Sequence, residues 1–166
     1  MESPVVTVRE ARLGDLEALL RWYAQLNLPG EPPATPERPT EAHQRALATI
    51  LARDDVWLLI AERAGVGVGT VQLTIVPNLT HGGRPWANVE NVVVDEHARG
   101  LGVGSALLDE AVGRAQAAGC YKISLTSRVE REAAHRFYEA RGFQARHRGY
   151  SRYFPDVERS PREQGW

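Results

Sequence analysis

Three alternate glycines and an arginine, Arg99-Gly100-Leu101-Gly102-Val103-Gly104, followed by Ser105, separate an apolar β-branched run from a helical pattern. Glycines at 100, 102 and 104 remove side chains where backbone N–H groups must approach something closely. A helix beginning just behind them offers unpaired N–H donors and the positive end of its dipole. Arg99 adds a full charge at the lip, so the stretch reads as an anion cradle. An ordinary strand-to-helix turn is the plainer alternative. A Walker loop is excluded, because no Gly-Lys-Ser/Thr follows. A dinucleotide fingerprint is also excluded: Ser105 stands where the third glycine would be, and the next strand ends Leu125-Thr126-Ser127 without an acid. Upstream, Glu90 is the only acid within Val89-Glu90-Asn91-Val92-Val93-Val94. Set among Val89, Val92 and Val93, its carboxylate would be partly desolvated and suited to taking a proton. A strand end facing solvent is the other reading.

The arrangement Arg99-x-x-Gly102-x-Gly104 resembles the acetyl-coenzyme-A motif of the GNAT N-acetyltransferases. A second block, Ala134-His135-Arg136-Phe137-Tyr138-Glu139-Ala140-Arg141-Gly142-Phe143, resembles that family's Ala-x-x-Phe-Tyr-x-x-x-Gly-Phe element. Order and spacing both match, and the resemblance covers roughly residues 5–154. It implies that Arg99, Gly100, Leu101, Gly102, Val103, Gly104 and Ser105 hold the coenzyme pyrophosphate. It further implies that backbone around Val92, Val93 and Val94 holds the pantetheine arm, and that Tyr138 lies near the sulfur as a proton donor to the leaving thiolate. A core phenol, like its neighbour Phe137, is the alternative for Tyr138. Where the family often has Asn, this chain has Arg131, which with Arg128 is a candidate for a coenzyme phosphate. Glu90 also fits: glucosamine-6-phosphate acetyltransferases show a similar Ile-Glu-Asp element, here Val89-Glu90-Asn91. The block 127–138 is similar to aminoalkylphosphonate acetyltransferases, so a phosphorylated or phosphonate amine is implied.

These groups need elements to position them. Residues 5–9 alternate as a first strand. Leu16, Leu19, Leu20, Tyr23 and Leu26 recur at helical spacing. Pro29, Pro32, Pro33, Pro36 and Pro39 break the next segment, a linker or a substrate loop. The resemblance favours the loop, where acceptor specificity in that family usually sits. Thr40 caps a second helix running to about Arg53. Residues 56–62 and 68–76 form a hairpin around a Gly-rich turn. The connection 77–85 is expected to border the active site, where His81 and His135 at most line the acceptor pocket. A long helix begins at Val103 and stops at Gly119. The strand 121–126 then runs parallel to the central one through a helical crossover. A helix over 133–141 and two final strands, near Phe143 and over 150–154, complete a mixed sheet. The expected fold is α/β (α+β), a mostly antiparallel twisted sheet of six to seven strands with about four helices. The resemblance adds a central parallel pair splayed apart.

Composition sets the outer limits. The chain has 166 residues, 43% hydrophobic and 25% charged, which suits one soluble domain with a polar tail over 155–166. Twenty basic and twenty-one acidic residues leave a net charge of −1, so no overall field points to nucleic acid or membrane. The start Met1-Glu2-Ser3-Pro4 carries no signal-peptide pattern. The lone Cys120 forms no internal disulfide and fits a reducing cytoplasm. It is read as packing rather than a nucleophile. The five histidines have no metal-ligand spacing, so no metal is expected. The expectation is an acetyl-CoA-dependent N-acetyltransferase acting on a primary amine of a small molecule in a ternary complex. A protein amino group as acceptor, a non-catalytic acyl-CoA sensor and a homodimer stay open.

Overall fold

The computed structural model describes residues 5–26 and 38–152. Five strands lie in one sheet in chain order: β1 (Val6–Glu10), β2 (Val56–Arg63), β3 (Val66–Val76), β4 (Trp86–Val94) and β5 (Ile123–Leu125). The first four pair antiparallel, and β5 joins β4 in parallel. The helices are α1 (Leu16–Ala24), α2 (Glu41–Leu51), α3 (Val103–Ala117) and α4 (Glu132–Glu139).

Both faces of the sheet are covered. On one, Leu59, Val71, Leu73 and Val89 pack with Val103, Leu107, Leu108 and Ala111 of α3. On the other, Leu58, Ile60 and Val93 meet Leu19 and Trp22 of α1 and Leu47 of α2. Thr40 caps α2 as its residue type predicts, with its hydroxyl accepting the His43 N–H at 3.4 Å.

The feature that shapes the site is a bulge in β4. Thr70 pairs with Val93 and Gln72 with Glu90, so Asn91 and Val92 both fall opposite Val71. Asn91 adopts φ 53°, a left-handed conformation that asparagine tolerates better than most residues. The extra residue shifts the two-residue alternation by one: Val89 faces α3, yet Val93 packs toward α1 and α2. Beside the bulge the parallel pairing stops. Only Ala87, Asn88 and Val89 pair with β5, opposite Ile123, Ser124 and Leu125. Residues 90–94 therefore have no strand on their β5 side among the described residues, which is the expected splay.

Two expectations about the fold need correction. The sheet has five strands among the described residues, not six to seven, and residues 143–152 form none. Phe143 is apolar because its ring packs edge-on to Tyr138 at 6.0 Å, beside the core. Tyr153 and Phe154, with Pro29, Pro32, Pro33 and Pro36, lie outside the described residues. The connection 77–85 does not border the cleft described below. It packs at the opposite end of the sheet, where His81 stacks on Tyr121 at 3.8 Å and Arg84 donates to the carbonyls of Gly119 and Cys120.

Candidate active site

The splay opens a cleft of about 510 Å³, a size suited to a small-molecule ligand. One wall is residues 89–92 of β4; the other is Leu125 at the end of β5 and the following residues 126–128, continuing to Arg131 at the N-cap of α4 and Tyr138 within it. Tyr23 and Leu26 close it from the α1 side. Glu90, Val92, Arg131 and Tyr138, picked out separately in the sequence, thus meet in one cavity.

Glu90 differs from expectation in its surroundings. It is exposed rather than desolvated, because the strand that would cover it ends at Leu125. Asn88, on the same face two residues earlier, donates to its carboxylate at 2.9 Å. Solvent access leaves Glu90 able to pass a proton on to water. His81, expected at most to line the acceptor pocket, does not line the cleft. Nor does His135, whose ring bonds the Arg128 carbonyl at 2.8 Å.

Tyr138 is both a core residue and a cleft residue. It is 9% exposed, with its ring edge-on to Phe137 at 5.4 Å and to Phe143. Burial pushes its phenol up from the ordinary tyrosine value, while the Arg131 guanidinium works the other way. The phenol therefore holds its proton at neutral pH, and a cation stands close by to ease the loss of that proton. Across the cleft, burial pushes Tyr23 up to about 12, opposed by the Thr70 hydroxyl.

The glycine cradle leads off the free end of β4. Gly100 and Gly102 have φ of 77° and 81°, and a side chain at either would meet nothing within 4 Å. Both hold left-handed backbone, which glycine adopts without a Cβ penalty. Gly102 is the N-cap of α3, and the first helical bond runs from Ala106 N–H to its carbonyl. The N–H groups of Val103, Gly104 and Ser105 thus begin the helix without helical acceptors. Gly104 is small for a different reason: a Cβ there would sit 3.0 Å from the Phe137 ring. Arg99 is exposed and donates to the Val94 carbonyl at 3.4 Å, while Leu101 projects outward, 44% exposed.

Arg141 was not singled out in the sequence, yet it sits against the cradle. Its guanidinium lies 4.0 Å over the Phe137 ring and donates to the Phe137 carbonyl at 3.3 Å. It also donates to the Ser105 hydroxyl, so that hydroxyl is engaged within the protein. The Phe137–Arg141 spacing of four residues, one helical turn, was the available signal. Cys120 is half-buried against the core, and burial pushes its thiol up, consistent with packing.

A splayed parallel pair, a bulged central strand and a glycine-capped helix start frame this cleft. Residues 16–143 match the acetyltransferase (GNAT) family, and the chain belongs to it. It is 42% identical to glucosamine 6-phosphate N-acetyltransferase of Trypanosoma brucei brucei over 81 residues, 49% of this chain and 53% of that relative. That match spans about half the length of the relative. Aminoalkylphosphonate N-acetyltransferase of Salmonella typhimurium is 28% identical over 145 residues, 87% of this chain and 88% of its own. Among solved structures, a Bacillus halodurans C-125 protein described as a transcriptional regulator superposes with a TM-score of 0.84. It is 36% identical, with 90% of this chain and all of that one covered. Among the described residues no helix is long and apolar enough to cross a membrane.

Proposed function

We propose that the chain transfers the acetyl group of acetyl-CoA to a primary amine of a small molecule by direct attack in a ternary complex. The observation that carries this reading is the cleft at the β4–β5 gap, which places Glu90 and Tyr138 on its two walls. Val92, Val93 and Val94 offer the unpaired β4 edge to the pantetheine arm. Arg99, Gly100, Leu101, Gly102, Val103, Gly104 and Ser105 take the pyrophosphate on backbone N–H groups and the Arg99 charge.

An alkylamine with a reference pKa near ~10.4 is mostly protonated at neutral pH, and only its neutral form attacks. Glu90 accepts that proton, directly or through water. The amine nitrogen then bonds to the thioester carbonyl carbon, the C–S bond breaks, and Tyr138 gives its proton to the departing thiolate. Arg131 stabilises the transient phenolate, which takes up the second proton shed by the acylated nitrogen as the neutral amide forms. An initial-rate matrix over both substrates tests the direct route. Intersecting double-reciprocal lines, with no acetylated protein by intact mass after acetyl-CoA alone, are expected; parallel lines with an acetylated protein would refute it.

A second reading is a sensor that holds acyl-CoA without turnover, and the described role of the Bacillus halodurans relative favours keeping it. Saturable binding without thiol release for any amine would select it.

A further inference from the structure

The last turn of α1 divides its side chains between two tasks. Tyr23 and Leu26, three positions apart, share one face and line the cleft. Trp22 and Gln25 share the neighbouring face, about 100° round the helix, and both reach the chain just past β4. The Trp22 indole N–H donates to Oδ2 of Asp95 at 3.2 Å, and the Gln25 side-chain oxygen accepts the Glu96 N–H at 3.0 Å. The other Asp95 oxygen, Oδ1, accepts the His97 N–H at 3.0 Å. It thereby caps the single short turn Glu96–Ala98 that leads to Arg99 and the glycines. One carboxylate thus holds the α1 wall of the cleft with one oxygen and the approach to the cradle with the other.

These bonds are not needed to keep α1 on the sheet. Leu19 and Trp22, each 2% exposed, pack with Leu58, Ile60 and Val93, and that burial holds the body of the helix. Apolar burial is non-directional, so it leaves sliding and rotation of the helix weakly restrained. The polar bonds from positions 22 and 25 are directional, and they set where Tyr23 and Leu26 stand. The turn they grip has slack of its own. Glu96, His97, Arg99 and Gly100 are exposed, and apart from Asp95 and Gln25 the turn is closed by the Ala98 N–H to the Asp95 carbonyl at 2.8 Å. A segment with few buried contacts belongs to the low-stability end of a fold.

Resting on the acetyltransferase reading above, we propose that Asp95 is a positioning residue joining the two substrate sites. Through Trp22, and with the Glu96–Gln25 bond beside it, Asp95 sets the Tyr23–Leu26 wall against which the amine is held. Coenzyme on the cradle steadies the turn Glu96–Ala98, which keeps the Asp95 carboxylate and the Glu96 N–H in register with α1. By linkage, an amine seated on that wall raises coenzyme affinity by the same factor. Asp95 touches neither reacting group in this role and moves no proton.

The test cuts the α1 side alone. Trp22→Phe removes the indole N–H and keeps a ring in the core, while Gln25→Met removes the acceptor for the Glu96 N–H and keeps side-chain length. Both leave the Asp95 cap of the cradle turn in place. Ile50→Val, on α2 against the same core, is the control for lost packing alone. Hydrogen exchange of the α1 amides is followed by mass spectrometry with and without saturating coenzyme A. In wild type the coenzyme is expected to slow exchange in the last turn of α1 by at least about fivefold. The double variant should lose that slowing while binding coenzyme A within about threefold of wild type, and Ile50→Val should keep it. Should Trp22→Phe not fold, Gln25→Met alone carries the test, with a smaller effect of the same sign. Kinetics supply the second arm, using whichever of propylamine, ethanolamine and 2-aminoethylphosphonate releases thiol fastest. The double variant should raise amine KM by about 5- to 20-fold with kcat within about twofold, and Ile50→Val should move neither. Coenzyme-bound wild type with unprotected α1 would overturn the proposal, as would protection or an amine KM that the double variant leaves unchanged. Equal changes in Ile50→Val would reduce the two bonds to ordinary packing and overturn it too. If none of the three amines releases thiol, the transfer reading fails, and exchange still decides the coupling. Coenzyme A that does not bind wild type would remove the coenzyme reading and the proposal with it.

Discussion

In the proposed transfer Tyr138 and Glu90 divide the proton work, and each role makes a separable prediction. Tyr138→Phe keeps the edge-on packing with Phe137 and Phe143 and removes only the donor. Its turnover should fall by about 10²-fold with coenzyme affinity nearly unchanged, when chemistry is rate-limiting. Wild-type turnover in that variant would leave Tyr138 a packing residue. Glu90→Gln should lower turnover at neutral pH with coenzyme affinity barely changed; unaltered turnover would hand the base role to bulk water. Tyr23 carries a prediction about stability. Folded, it keeps its proton to about 12, whereas the unfolded chain releases it near ~10. The unfolded state therefore binds fewer protons between those values, so stability is full below ~10 and declines as pH climbs toward 12. Urea midpoints measured from pH 8 to 11.5 should fall less steeply in Tyr23→Phe than in wild type; matching slopes would contradict the assignment. Glu90, Arg131 and Tyr138 were legible because their types stood out in motifs or in an apolar run. Arg141 was not, since its importance comes from Ser105, thirty-six positions away in the chain.

At the scale of elements, periodicity located the four helices and β1 to β4 to within a few residues, because each has one buried face. The strands expected after α4 were misread. The apolar character of Phe143 serves α4 packing, and a strand needs a ladder partner that short-range pattern does not reveal. The β4 bulge was also invisible, since Asn91 looks like any polar residue in a strand until its φ is known. The cradle glycines stood out in the sequence, and the structure adds reasons the pattern did not show. Gly102 is needed for its backbone conformation and Gly104 for the Phe137 ring. Gly102→Val should therefore strain the α3 N-cap by about 1–2 kcal/mol and misdirect the N–H groups behind it. A folded variant is expected to lose coenzyme A affinity at least about tenfold by calorimetry. Unchanged affinity in a folded Gly102→Val protein would remove the cradle from the account.

Across the whole molecule, the bulge, the early end of β5 and the α3 cap act together. The bulge turns β4 away from β5, the short β5 leaves the cleft open, and the cap orients N–H groups at the far end of the same free edge. The proposed acyl transfer through that gap needs both substrates present at once. Free thiol, followed after purified protein is mixed with acetyl-CoA and a panel of small amines including aminoalkylphosphonates, measures this most directly. The account predicts thiol release that saturates in both substrates and is matched mole for mole by N-acetylated amine. Saturable acetyl-CoA binding with no amine-dependent thiol release across the panel would contradict it.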